Sequence, residues 1–273
     1  MFNNIESIPK CLIVEGLVAL KKQVEKFKCV KPEDFTGKRV IQLLEKSGLE
    51  IREDEFVSLT ARKLNGNPFA LLVAIIISQN TTDKAAIKAY KRLNEVLGGR
   101  VTPEKIVELG QERIEEPLRP AGLSKQKAKW IYEAAKAILD NGGERILTEK
   151  PPGELRQILL KIPGIGKKTV DVFLSQVRGE QVFAVDTHAR RIAKRWCLEE
   201  TNNYDRISKA FSKFFKGEDL VKAHKLIIAL GRKWCIARIP KCEECPLREI
   251  CPYAVRHLSS TTKQEKNTGQ SRK

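Results

Sequence analysis

Long hydrophobic runs are missing from this sequence. The longest, Phe69 to Ile77, is less than half of the ~20 apolar residues that a membrane-spanning helix needs, so no membrane association is expected. The start, MFNNIESIPK, lacks the basic-then-apolar pattern of a secretory signal. The expectation is an intracellular chain, in the cytoplasm or nucleoid, with reduced thiols. Seven cysteines in that setting are not a disulfide framework. Histidine is scarce too. His188, His224 and His257 are the only three, and none has a partner at metal-ligand spacing. Strand signals are nearly absent, with Gln181 to Val185 the one short candidate, and no repeat period is evident. Acidic residues fall well short of basic ones: 34 Asp and Glu face 51 Lys and Arg, for a formal net charge of +17. That balance points to an anionic partner, nucleic acid first. A solvated lysine-rich surface is the plainer account of the same charge.

What is present is helical patterning. The 273 residues suffice for one large or two small domains with a proper core. Residues 1–35 mix apolar and charged side chains, and Leu12, Val14, Leu17, Val18 and Leu20 could line a helix face, but no chemistry is visible there. From Lys38 onward apolar residues recur at three- and four-residue spacing, as in Ile106, Leu109, Ile114 and Leu118. Thr102-Pro103-Glu104 is a helix start, with a cap, a first-turn proline and an acid near the positive end. Asn65-Gly66-Asn67-Pro68, Asn141-Gly142-Gly143 and Pro151-Pro152-Gly153 separate helices. The fold class is all-α. Residues 256–273 read as a basic, disordered tail.

One stretch carries more information than the rest. An apolar helix runs into Pro163-Gly164-Ile165-Gly166-Lys167-Lys168-Thr169, and a second apolar-faced helix follows. Two glycines two apart let the backbone turn tightly and approach a ligand closely. Peptide N–H groups then converge at a helix start, where the dipole favours an anion. Such a grip holds phosphate without reading bases. Gly-x-Gly alone is equally an ordinary helix connection. Eighteen residues after Lys168 stands Asp186, in Val185-Asp186-Thr187-His188. Taken alone, Lys168 reads as a phosphate contact and Asp186 as a helix cap.

Further on, Cys235, Cys242, Cys245 and Cys251 are spaced C-x6-C-x2-C-x5-C. Four thiolates so close in sequence suit either Zn²⁺ or a [4Fe–4S] cluster. Zinc ribbons usually pair two Cys-x-x-Cys knuckles, and only one is present. Cys11, Cys29 and Cys197 have no ligand-like neighbours and read as small buried or incidental thiols.

Together, the Pro-Gly-Ile-Gly hairpin, the Val-Asp-Thr-His string and the four-cysteine spacing resemble the endonuclease III family of DNA glycosylases, over roughly Lys38 to Tyr253. The resemblance implies a bifunctional DNA N-glycosylase and AP lyase of base excision repair, acting as a monomer on double-stranded DNA with oxidised pyrimidines or abasic sites. A mismatch-specific uracil or thymine glycosylase, an alkylated-base glycosylase and a non-catalytic damage-binding iron–sulfur protein are the alternatives. It implies that Lys168 is the nucleophile and Asp186 the second catalytic residue. A carboxylate stabilises oxocarbenium-like charge at the sugar, and an amine forms a Schiff base that lets the backbone eliminate. The amine must be neutral, and free lysine titrates near ~10.4, so desolvation and the neighbouring Lys167 would have to lower it.

The same resemblance implies that the four cysteines hold a [4Fe–4S] cluster and that Gly164, Ile165, Gly166 and Lys167 contact DNA. A flipped base leaves a hole to be filled. One filling loop matches Ser78 to Asp83, with Asn80 where many members have glutamine and Gln79 beside it, so that either amide could insert. The other matches Ala121 to Ala128, with Leu123 as wedge, Lys127 as a further contact and Ser124 where an aromatic often stands. Arg238 and Lys241, in the loop between the first two cysteines, would meet phosphates. The implied fold has a six-helix lobe at 60–178 and a cluster lobe from 36–59 with 179–255.

Overall fold

The computed structural model describes residues 31–49 and 56–258. The helix face suggested at Leu12 to Leu20 lies outside them. No strand occurs among the described residues, and the all-α expectation is borne out.

The helices start where the chemistry of their first turns says they should. Helix α1 (Gly37–Lys46) is capped by the Thr36 hydroxyl. After α2 (Val57–Leu64), Pro68 opens α3 (Pro68–Ile77), which is buried from Phe69 to Ile77 and forms the axis of the first core. Around it pack α4 (Asp83–Val96), α5 (Pro103–Leu109), α6 (Gln111–Leu118) with a 3-10 turn at Arg119–Ala121, and α7 (Ser124–Asp140). The short α8 (Ile146–Glu149) leads to α9 (Pro152–Lys161) and α10 (Lys167–Arg178), whose Val170, Phe173 and Leu174 close this core. Thr82 and Thr102 cap α4 and α5 through their hydroxyls.

A second core joins Phe35 and the apolar face of α1 to α11 (Thr187–Arg195), α12 (Tyr204–Phe214) and α13 (Leu220–Lys233). Aromatic packing dominates it: Phe183 stacks on Phe211 with centroids 4.4 Å apart, and Phe35 meets Trp196 edge-on at 5.2 Å. An ion pair spans the two cores, Arg232 of α13 reaching Asp83 at the start of α4, 2.7 Å apart.

Two expectations need correction. Gln181 to Val185 is no strand. It is irregular, with no second strand to pair with among the described residues: the Val182 N–H bonds the Glu180 carbonyl at 2.8 Å, Ser208 donates to the Phe183 carbonyl at 2.7 Å, and the Val185 N–H donates to the Tyr204 hydroxyl at 3.2 Å. The expected tail begins later than residue 256, because residues 252–258 are helical, with Arg256 donating to the Pro252 carbonyl and His257 stacked on Tyr253. The rest of that tail lies outside the described residues.

Candidate active site

The hairpin is built around Gly164. Its φ is +80°, and a Cβ there would fall on the indole ring of Trp130. Only glycine suits both demands. Ile165 points into the first core, 3% exposed, and its N–H bonds the Ile162 carbonyl at 3.1 Å. The expectation that Ile165 meets DNA is therefore corrected, since both its side chain and its amide are used within the protein. Gly166 precedes α10, and no side chain caps that helix start. The first-turn amides thus face an open surface, the arrangement that suits an anion.

Lys168 is the second residue of α10 and is exposed. It makes no hydrogen bond or ion pair among the described residues. Lys167, by contrast, is paired with Asp205 at the start of α12, both side chains about half exposed. Asp186 stands at the N-cap of α11, and its Oδ1 accepts from the Ala189 N–H at 2.7 Å. The cap and the chemical reading are not rivals: the cap fixes the carboxylate, and the remaining oxygen is free of hydrogen bonds among the described residues. Lys168 and Asp186 line one cleft of about 550 Å³ with Asn80, Tyr204 and His224.

Burial lowers the pKa of both histidines of this region. His188 lies against Gly231, where a Cβ would collide with its ring, and interacts with Arg191 at 3.0 Å. Burial pushes its pKa down. His224 is buried, its Nε2 has no partner among the described residues, and burial pushes it down to about 4. Sequence reasoning gave His224 no role.

The two candidate wedges differ from their neighbours. Asn80 is exposed with φ of +52°, a conformation asparagine tolerates. Gln79 is committed elsewhere: its Nε2 donates to the Gly164 carbonyl at 3.0 Å and the Thr169 hydroxyl at 3.2 Å. Leu123 is 52% exposed with φ of +50°, a costly backbone for leucine. Lys127 is not on the surface. It is fully buried, and its ammonium donates to the Ala121 carbonyl at 2.9 Å, pinning the turn that carries Leu123. Its expected DNA contact is corrected to an internal brace.

All four loop cysteines line one largely apolar pocket with Trp196, Leu230, Trp234, Pro240 and Leu247. Among the described residues no group of three or more His, Cys, Asp or Glu side chains closes round a single metal ion. Burial pushes the Cys245 thiol up to about 12 and Cys251 to about 11, so four thiolates need a cationic centre to coexist. Arg195, the last residue of α11, holds the loop by donating to the Cys235 Sγ at 3.1 Å and to the Ile236 and Ala237 carbonyls at 2.8 and 3.0 Å. Forty residues separate Arg195 from Cys235, and no local signal in the sequence links them. Arg238 and Lys241 are exposed beyond this clamp. Cys197, read as an incidental thiol, is half-buried, and the Arg256 guanidinium donates to its Sγ at 3.4 Å.

Comparison with known proteins places this geometry. Residues 73–216 match the HhH-GPD superfamily of base excision DNA repair proteins. Endonuclease III of Sulfolobus acidocaldarius is 37% identical over 212 residues, which span 77% of this chain and 93% of that one. Endonuclease III of Escherichia coli K12 is 33% identical over 190 residues, 68% of this chain and 84% of that one. The solved structure of a trapped endonuclease III–DNA covalent intermediate superposes with a TM-score of 0.59 at 32% identity, covering 70% of this chain and 86% of that one. The chain belongs to the HhH-GPD superfamily of base excision DNA repair proteins and, within it, to the endonuclease III family. Its activity is that of a base-excision-repair DNA glycosylase and AP lyase.

Proposed function

We propose that the protein removes oxidised pyrimidines from double-stranded DNA, with Lys168 as nucleophile and Asp186 as its electrostatic partner. The observation that carries this reading is the shared cleft: an exposed amine with no competing partner among the described residues opens onto the same space as a capped, oriented carboxylate. In its neutral form the Lys168 Nζ attacks C1′ of the damaged nucleotide. The bond to the base breaks, its electron pair leaves with the base, and the base takes up a proton. Asp186 stabilises the positive charge that develops on the sugar. Loss of the amine proton and ring opening leave a Schiff base on Lys168. Removal of a C2′ proton then expels the 3′ phosphate by β-elimination. DNA over the cleft excludes water, which helps the amine stay neutral.

The uncapped start of α10, with Gly164 and Gly166 before it and Lys167 in its first turn, would take a backbone phosphate. Asn80 and Leu123 would fill the space of the extruded base, since Gln79 is already engaged. The four cysteines would hold a [4Fe–4S] cluster. They line one largely apolar pocket, and their spacing, with a single Cys-x-x-Cys pair, suits a polynuclear cluster better than a two-knuckle zinc ribbon. When bound, the cluster supplies the charge that keeps four thiolates together, and so presents Arg238 and Lys241 on an ordered loop.

Borohydride trapping on an abasic duplex tests the lysine. The expected result is a covalent adduct in the native protein and none in Lys168→Ala; an adduct surviving in that variant refutes the assignment. Duplexes carrying an oxidised pyrimidine, G·U, G·T or an alkylated purine test the substrate. Release confined to the mismatches would overturn the pyrimidine reading. Iron without zinc, at about four per chain, is expected on metal analysis.

A further inference from the structure

One oxygen connects the elements that carry Lys168 and Asp186. Asp171 lies on α10, three residues and about one turn after Lys168, and is 1% exposed. Its Oδ2 accepts from the Tyr204 hydroxyl at 2.8 Å. The same hydroxyl accepts from the N–H of Val185, the residue just before Asp186, at 3.2 Å. The other carboxylate oxygen of Asp171 pairs with Arg156 of α9. Tyr204 itself lines the cleft with Lys168 and Asp186.

We propose that Tyr204 is a positioning residue for the glycosylase–lyase reaction: its hydroxyl, fixed by Asp171, sets the offset between the Lys168 helix and the Asp186 carboxylate. This rests on Lys168 and Asp186 being the reacting pair. The segment 181–186 has no strand partner among the described residues, and side chains help to hold it in place. Near Asp186 it is held by the Tyr204 bond to Val185 and by the helix cap that Asp186 itself makes. Burial and the adjacent Asp171 charge push the Tyr204 phenol far up, which keeps its proton and its role as donor to Asp171. Asp171 in turn is anchored by Arg156, so the donor always finds an acceptor. The Lys167–Asp205 pair also joins α10 to α12, but both partners are about half exposed, and such pairs contribute little. The Tyr204 link, partly buried and ending on the fully buried Asp171, is the one that constrains geometry. A misplacement of about 1 Å between reacting groups can cost on the order of 100-fold in rate.

Tyr204→Phe removes only the oxygen and keeps the ring. It is compared with the full-length native protein by single-turnover base release, by the borohydride-trapping rate, and by affinity for a duplex with an uncleavable abasic analogue. The expected result is a fall of about 10- to 100-fold in both rate constants, with affinity changed less than about threefold and the trappable fraction unchanged. A purely structural role would lower the trappable fraction and leave the rate of the remaining molecules alone. Native rate constants in Tyr204→Phe, or a loss confined to the trappable fraction, overturn the proposal. Should Tyr204→Phe not fold, Asp171→Asn takes its place. Its amide oxygen still accepts from Tyr204 but loses the charge facing Arg156, and a smaller drop in the same two rates is expected; none overturns the proposal. Lys168→Ala run alongside separates the two levels. An adduct in Lys168→Ala refutes the nucleophile itself, whereas its absence together with a native Tyr204→Phe rate refutes only the positioning.

Discussion

The Gln79 amide donates to the Gly164 carbonyl across 3.0 Å, so the end of the central helix α3 and the turn of the hairpin are tied together. A residue that family resemblance offers as a DNA probe is a strut between two loops proposed here to face DNA. Neutral buried hydrogen bonds contribute about 0.5–1.5 kcal/mol each. Gln79→Leu is expected to weaken binding of an abasic-analogue duplex by about threefold to tenfold, measured by fluorescence anisotropy. Unchanged affinity would show that the strut has no bearing on the DNA surface.

The two hairpin glycines are expected to fail differently. Gly164→Ala puts a methyl group into Trp130 at a positive φ, and a loss of at least ~2 kcal/mol in urea unfolding is expected. Gly166 has φ of −95° and open space where a methyl group would stand, so Gly166→Ala should unfold within about 0.5 kcal/mol of the native protein. Its methyl would instead obstruct an approaching phosphate and weaken DNA binding. Equal stability losses in the two variants would contradict this division of labour.

Lys127 ties stability to pH. Burial holds its amine down to about 8. Between that value and the ordinary ~10.4, the folded protein binds fewer protons than the unfolded chain. Stability therefore rises with pH across this window, and the full cost of burying the charge is felt below it. Lys127→Met lacks the effect. Its stability relative to the native protein should be most favourable at pH 7 and decline towards pH 10.5, by on the order of 3 kcal/mol. Parallel pH profiles in urea unfolding would rule this out.

Arg238→Ala combined with Lys241→Ala should lower the slope of log Kd against log salt by about 2, since each phosphate contact contributes about one unit. A salt titration of duplex binding with an unchanged slope would remove both residues from the interface.

What the sequence discloses is what is written locally. The Pro163 to Thr169 hairpin, the Asp186 string and the four cysteines are short strings whose chemistry depends on immediate neighbours. Lys127 misleads because charge suggests surface. Yet Lys127, Ile131, Ala134 and Ile138 fall on one helical face, and that spacing does carry the buried position. Arg195 with Cys235, and Tyr204 with Asp171, meet only after folding. Nothing across separations of 40 and 33 residues marks them as partners. Gln181 to Val185 has the residues of a strand but no second strand among the described residues, and pairing is a property of the whole fold.

Helix α3 is enclosed along nearly its whole length and stops at Ser78, two residues before Asn80. With Asn80 as the proposed inserting residue, its backbone is carried close to the end of a firmly seated shaft and would have little freedom to lose on entering a duplex. The entropic toll of searching then falls on the DNA, which must open at each site tested. A stiff probe of this kind favours nucleotides whose pairing is already weakened, and damage would be sorted first by how readily the helix gives way.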